Sequence, residues 1–263
     1  MGRIDGYLVC GGNWHDFDYP RLRLLELLAE HEDVRVLVGR DFRDIDGIAG
    51  CRFLVTYTCD LRPSEAEVEN LARFVERGGR WFALHGTNAV FEMEPDGVHS
   101  PRILRRYMET LGSQFIAHPP VGRYPVWPVA EHPLVEGLGR WETGEGEELY
   151  LCEYHGEVRP LLATRFGGEA PGFAESSWPE EREWPVLYLH PFGEGAVLYL
   201  TPGHRRRRYD MLVAPGGQAF GSAAGRFQLP EYPRFEPGSW EVPEYVELLR
   251  RGIRWAKGEY ALL

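Results

Sequence analysis

Arg80-Trp81-Phe82-Ala83-Leu84-His85-Gly86-Thr87 is an apolar run that stops on a histidine. It follows a helical segment closed by Gly78-Gly79, so the order reads helix, glycine cap, buried strand, tight turn. In an open parallel sheet, ligands bind at the carboxyl ends of the strands. The polar residue at this turn is therefore a candidate for function. Acyl-transfer enzymes place a serine or cysteine nucleophile at such a turn. This chain has His85 there and contains no G-x-S-x-G motif, which points away from acyl transfer.

Working outward, the same alternation recurs. Gly6 to Cys10 reads as a buried strand running into the glycine turn Gly11-Gly12-Asn13-Trp14-His15. That turn lacks the G-x-G-x-x-G spacing of a dinucleotide site. Asp18 and Pro20 open a helix with Leu22, Leu25, Leu28 and Ala29 at helical spacing. Strands follow at Val34–Val38 and Phe53–Tyr57. Ser64 and Glu67 form a capping box ahead of Val68, Leu71, Ala72 and Val75. Strand–helix alternation of this kind predicts an α/β fold: a doubly wound, mostly parallel sheet with helices on both faces.

The second half is more mixed. Ile103 to Leu111 suggests a helix ending at Gly112. Val126–Ala130, with prolines nearby, reads as an edge strand. Glu148–Leu151 and Leu161–Thr164 are short strand candidates, and residues 167–184 read as a surface loop. Pro185–His190 and Ala196–Thr201, joined by Phe192-Gly193-Glu194-Gly195, predict a β-hairpin extension. Residues 205–243 show little periodicity and read as a functional cover. Tyr245–Ala256 closes the chain as an amphipathic helix. With no repeat and no clear linker, residues 1–263 are read as one domain.

Composition narrows the function. The formal net charge is −11, which argues against nucleic acid and anionic membranes as partners. No stretch approaches the roughly 20 apolar residues of a membrane span, and no signal-peptide pattern opens the chain. A cytoplasmic protein is the expectation. Lys257 is the only lysine, so Schiff-base chemistry is disfavoured. Cys10, Cys51, Cys59 and Cys152 make no C-x-x-C pair. Cys10 and Cys152 read as core residues, and Cys59 as a residue that lines the cleft.

His15, His85 and His204 each follow a predicted strand or its turn, so their imidazoles are expected to converge on one sheet edge. Each alone also fits a hydrogen-bonded structural role. His118 ends another apolar run. His31, His99, His132, His155 and His190 have no such placement. Glu147-Glu148 precede Leu149-Tyr150; alternation turns one carboxylate to the cleft and the other to solvent. A carboxylate among histidines serves as general acid or base, or as a ligand of a divalent metal. Arg205 to Arg208 reads as a run that neutralises the acidic surface. Trp14, Tyr57 and Tyr209 lie near the predicted site loops, where flat aromatic faces suit sugar binding.

These residues together resemble a known family. Phe74-Val75-Glu76-Arg77-Gly78-Gly79 leading to Leu84-His85, Gly112-Ser113-Gln114-Phe115 with His118-Pro119, and His132 to Leu138 are similar to segments of the trehalose-utilisation (ThuA-like) family. So are Glu147-Glu148-Leu149-Tyr150, the late hairpin to Gly203-His204, and Gly252 to Ala256. Glu147 stands where the family usually has Asp. The resemblance implies a class I glutamine amidotransferase-like, flavodoxin-like fold without amidotransferase activity. It also implies isomerisation or cleavage of keto-disaccharides. In that reading His85 is the general base, Glu148 the complementary acid/base, and His118 and His204 polarise or position oxygens. His15, Trp14, Tyr57 and Tyr209 contact the substrate. A variant has Zn²⁺ or Mn²⁺ held by some of His15, His85, His118, His204 and Glu148. The alternative is a non-catalytic carbohydrate-binding or assembly protein. The expected partner is a small-molecule sugar, and exposed aromatics in 205–243 are candidates for a homodimer interface.

Overall fold

The computed structural model describes residues 2–207, 210 and 235–263. Its elements run β1 (Ile4–Gly12), α1 (Asp18–Ala29), β2 (Val34–Gly39), α2 (Ile45–Gly50), β3 (Phe53–Cys59), α3 (Glu65–Glu76) and β4 (Arg80–Leu84), then a 3₁₀ turn (His85–Asn88). They continue through β5 (Glu92–Glu94), β6 (Gly97–His99), α4 (Arg105–Leu111), β7 (Ser113–Ala117), β8 (Pro125–Pro128) and β9 (Trp141–Glu142). The last are β10 (Leu151–Tyr154), β11 (Arg159–Glu169), β12 (Ser177–Phe192), β13 (Gly195–Leu200) and α5 (Pro243–Lys257).

Nine strands form one sheet in the order β2-β1-β3-β4-β13-β12-β11-β8-β9. The first five are mutually parallel, and the rest attach antiparallel through the β12–β13 hairpin. The fold is thus mixed α/β around a large central sheet. Strand alternation feeds two buried clusters. Leu8 and Cys10 of β1 pack with Leu24, Leu27 and Leu28 of α1 and Leu248, Leu249 and Ile253 of α5. Tyr7 and Val9 pack with Ile48 of α2, Leu71 and Val75 of α3, and Met108 of α4.

The register levels the strand ends. Gly12 faces Cys59, Tyr57 faces Leu84, and Leu84 faces Leu200. The residues that follow β1, β4 and β13 therefore leave the sheet side by side. β7 and β10 pair antiparallel in a separate small sheet, with Leu151 opposite Ala117. That pairing sets the residue after β7 beside the residues before β10.

Several expectations need correction. Residues 167–184 are not a surface loop: β11 and β12 run through most of them as a two-stranded ribbon. The ribbon's outer half is largely exposed, so it has little apolar area to bury and shows no strong hydrophobic alternation. Its sparse stabilisation includes Arg182 over the Trp184 ring and the Trp184 indole N–H donating to the Phe166 carbonyl. The strand expected at Glu148–Leu151 begins only at Leu151, leaving 147–150 irregular. The Val126 strand is not the edge, because β9 lies outside it. The short helix α2 had no expectation; Asp44 caps it by accepting from the Gly47 N–H.

Candidate active site

β4 ends at Leu84, and His85 takes up φ +45°, a left-handed conformation that an L-residue adopts at a cost of about 1–3 kcal/mol. The turn is held from several sides. Thr87 Oγ1 donates to the Leu84 carbonyl at 2.8 Å, and Tyr107 donates to the Thr87 carbonyl at 2.9 Å. The Tyr199 hydroxyl donates to the His85 carbonyl and accepts from the Asn88 N–H. The other non-glycine residues with positive φ among those described are Trp14 and Asp60, which follow β1 and β3. Strain is thus concentrated at the carboxyl ends of adjacent parallel strands. Asp60 ties them together: Oδ2 accepts from Asn13 and from the Trp14 indole, and Oδ1 from the Phe91 N–H. At Gly12, φ +133° and the Cys59 carbonyl only 2.0 Å from where a Cβ would stand require glycine.

Three imidazoles meet there. His15 Nε2 lies 3.0 Å from His85 Nε2 and 3.1 Å from His204 Nδ1. The Glu148 carboxylate closes the group, at 3.1 Å from His204 Nδ1, 3.5 Å from His85 Nε2 and 3.7 Å from His15 Nε2. All four side chains are buried. His118 joins from the end of β7, with Nε2 3.4 Å from Glu148 Oε1, and is the more exposed partner. Arg206 reaches Glu148 Oε1 at 3.5 Å and donates to the Trp14 carbonyl at 2.9 Å. The Tyr150 hydroxyl stands 3.3 Å from His85 Nε2.

The outward nitrogens define the inward ones. His85 Nδ1 donates to the Thr201 carbonyl at 2.9 Å, and His15 Nδ1 to the Asn13 carbonyl at 3.4 Å. A carbonyl only accepts, so a neutral ring must point its other nitrogen inward as a bare lone pair. The Tyr150 hydroxyl can donate to His85 Nε2, but lone pairs aimed at one another beside a carboxylate also favour a positive charge among them, either a shared proton or a metal ion. The four donor atoms lie within 4.8 Å of one another. Tetrahedral zinc with bonds of about 2.0–2.1 Å sets its ligands roughly 3.3 Å apart, close to the spacings here. Three imidazoles and one carboxylate could hold a divalent cation of the zinc or manganese kind.

Burial and the neighbouring imidazoles of His85 and His204 push His15 down to about 3. Burial also lowers His118. Burial pulls on His204 as well, but Glu148 and Glu236 outweigh it and raise His204 to about 8. Burial would raise Glu148, yet His204, His118 and His15 hold it well below the usual carboxylate range.

The structure therefore brings together His15, His85, His118, His204 and Glu148. Tyr57 lies behind His85, ring stacked on ring at 6.2 Å, and its buried hydroxyl donates to the Gly203 carbonyl. Cys59 is buried among Phe115, Tyr150 and Ala89. Trp14 stands half-buried beside the cluster with its indole on Asp60. Tyr209 lies outside the described residues, as does most of the expected cover at 205–243. The arginine run does not act as one patch. Arg205 stacks on Tyr19, Arg206 enters the site, and Arg207 pairs with Asp16 and Asp18.

Glu147 corrects the expected alternation, because it faces neither cleft nor solvent. Its Oε1 accepts from the N–H groups of Glu148, Gly203 and His204, and its Oε2 from that of Ser239. Sequence reasoning missed this anchor, and it also missed Glu236, Tyr150 and Asp60. For Asp60 a signal existed: a carboxylate directly after a buried strand. Glu236 gave none.

Fold and site together define a class: an α/β sheet protein with a buried histidine–glutamate cluster at its parallel strand ends. The chain belongs to the ThuA family, described as trehalose utilisation, whose family model matches residues 9–213. Solved structures of similar fold include a ThuA-like protein from Parabacteroides merdae, with a TM-score of 0.65, 14% identity, and coverage of 99% of this chain and 92% of that one. A ThuA-like protein from Bacteroides uniformis gives 0.63 at 13% identity, covering 99% and 94%. A cytoplasmic protein from Salmonella typhimurium LT2 gives 0.57 at 11% identity, covering 97% and 100%. No curated protein sequence matches significantly. Among the described residues, no helix is long and apolar enough to cross a membrane.

Proposed function

We propose that this ThuA-family chain is an enzyme that isomerises or cleaves an oxidised sugar, of the keto-disaccharide kind, by proton transfer next to a carbonyl. The observation that carries this reading is the convergence of His15, His85, His204 and Glu148 on one buried point, with an acceptor behind the outer nitrogen of each ring. The parallel strand order β2-β1-β3-β4-β13 supports a flavodoxin-like, doubly wound framework, and its reversal of direction at β1 and β3 lies beside the cluster. We further propose that these four residues hold Zn²⁺ or Mn²⁺. Bound there, the cation supplies Lewis-acid polarisation of a carbonyl or hydroxyl oxygen.

The remaining residues divide the work. His118 Nδ1 donates to the Pro119 carbonyl at 2.7 Å, which leaves Nε2 as the basic nitrogen. Burial keeps that ring neutral, so it is ready to take a proton beside the carbonyl. Arg206 carries a fixed positive charge at the same wall, suited to an oxygen that becomes anionic as the proton leaves. With His85 acting as a ligand, His118 takes the general-base role. In a metal-free variant of the mechanism, His85 takes it with Glu148 as partner.

The test is elemental mass spectrometry on the wild type and on His85→Ala, beside turnover of keto-disaccharides. Stoichiometric metal lost in the variant, with turnover down at least about 100-fold, is the expected result. Unchanged turnover in His85→Ala would remove the cluster from the chemistry.

A further inference from the structure

Glu236 lies 32 positions beyond His204 in the chain, yet its Oε2 sits 2.9 Å from His204 Nε2. The same oxygen accepts from Arg206 Nη1 at 3.0 Å. Arg206 in turn reaches Glu148 with its other terminal nitrogen. One carboxylate thus touches two residues of the cluster's wall. Its own backbone is fixed: Arg206 and Glu236 exchange both N–H···O bonds at 2.9–3.0 Å. Two residues on, the Gly238 N–H donates to the Glu145 carbonyl, and the Ser239 N–H donates to Glu147. The carboxylate is therefore held in place by the main chain on both sides.

We infer that Glu236 is a positioning residue that locks His204 in the tautomer protonated at Nε2, so that Nδ1 faces His15 and Glu148 with a free lone pair. Carboxylates stand at both ring nitrogens, Glu236 at 2.9 Å from Nε2 and Glu148 at 3.1 Å from Nδ1, and both only accept. A neutral His204 has one proton to give, and Glu236 takes it as the shorter contact, because Glu148 is already shared by His15, His85 and His118. His15 and His85 are oriented by backbone carbonyls, which no side-chain substitution removes. His204 alone of the three depends on a side chain for its orientation. Glu236 also holds Arg206 alongside Glu148 and so sets the charge beside the cluster. The consequence for metal binding rests on the reading proposed above, whereas the tautomer lock does not.

Two readouts separate these levels. Nitrogen-15 NMR of labelled histidine in metal-free protein, in alkaline buffer where the ring is neutral, reports the tautomer directly. Wild type and Glu236→Gln should show His204 protonated at Nε2, because the amide oxygen still accepts. Glu236→Leu should shift toward the Nδ1-protonated form. Zn²⁺ affinity by chelator competition should fall about 10–100-fold in Glu236→Leu and be largely kept in Glu236→Gln. A wild-type ring protonated at Nδ1 would overturn the inference. So would a folded Glu236→Leu variant that keeps the wild-type tautomer. A protein that binds no Zn²⁺ but shows the expected tautomers sinks the metal reading and upholds the lock.

Discussion

Replacing Glu147 by Gln changes one atom of a fully buried side chain, and the structure gives the size of the effect. Glu147 accepts four backbone N–H groups, three on Oε1 and one on Oε2. Gln has a single acceptor oxygen. Its best placement keeps that oxygen on the three-donor side and sets its NH₂ against the Ser239 N–H. One buried donor then loses its partner, at about 1–3 kcal/mol. The other three bonds drop from charge-assisted to neutral, losing roughly half their strength. Together Glu147→Gln should cost about 3–5 kcal/mol, a third or more of a typical domain's stability. At this chain length that corresponds to a Tm lower by roughly 10 °C. Urea denaturation and a thermal melt, run side by side on wild type and variant, measure it. The same N–H groups place the main chain of Glu148 and His204, so the variant should disturb the cluster as well as the fold. A variant within about 0.5 kcal/mol of wild type would show that Glu147 is not the anchor described, since changes of that size are typical of ordinary surface positions.

Two further outcomes follow from the same geometry. Gly86→Ala should destabilise by about 1–3 kcal/mol and shift the His85 ring, because the added Cβ would stand 2.7 Å from Cys59 Cβ and from the Thr58 carbonyl; a thermal melt with no change would contradict it. Chelator-treated protein should be most stable near pH 6.5, the ordinary imidazole value. His15, pushed down to about 3, binds a proton in the unfolded chain but not in the native one, so its contribution is complete above pH 6.5 and is lost as pH falls toward 3. His204, raised to about 8, contributes below pH 6.5 and loses that contribution as pH rises through 8. A melting temperature that is flat across this range would refute both assignments.

The parallel half of the fold was legible because each of its strands is a short apolar run closed by a polar residue. His15, His85 and His204 stood out for that reason, and the level register of β1, β4 and β13 brings them together. Glu148 and His118 were visible as polar residues against apolar runs. The reason they meet, the antiparallel pairing of β7 with β10, is a tertiary fact with no local sign. Tyr57 was misleading because every residue of β3 is buried, so alternation carries no outward face to read. Its ring joins the cluster of α1 and α5, and its hydroxyl is taken by the Gly203 carbonyl. Glu147 and Glu148 looked alike in an acidic stretch. Only the approach of Gly203, His204 and Ser239 from distant parts of the chain separates an anchor from a site residue. Glu236 lay outside any periodic pattern, and a single β-bridge to Arg206 delivers it.

The strained residues explain why these strand ends form a site and not merely a set of turns. Glycine would occupy the left-handed φ of Trp14, Asp60 and His85 at no steric cost, and elsewhere in the chain it does so, as at Gly112 and Gly193. At these three positions the chain carries a side chain that each fills a defined role. The His85 imidazole completes the cluster. The Asp60 carboxylate ties Asn13 and Trp14 to the residue that follows the His85 turn's exit. The Trp14 indole donates to Asp60 Oδ2 at 3.0 Å. A cost of about 1–3 kcal/mol at each position persists only where the surroundings over-determine it. Here that support comes from Tyr199, Tyr107 and Thr87 around His85, all buried. The fold therefore spends packing in the β4–β13 region to project one imidazole from the sheet edge, which marks His85 as the position the rest of the site is built around.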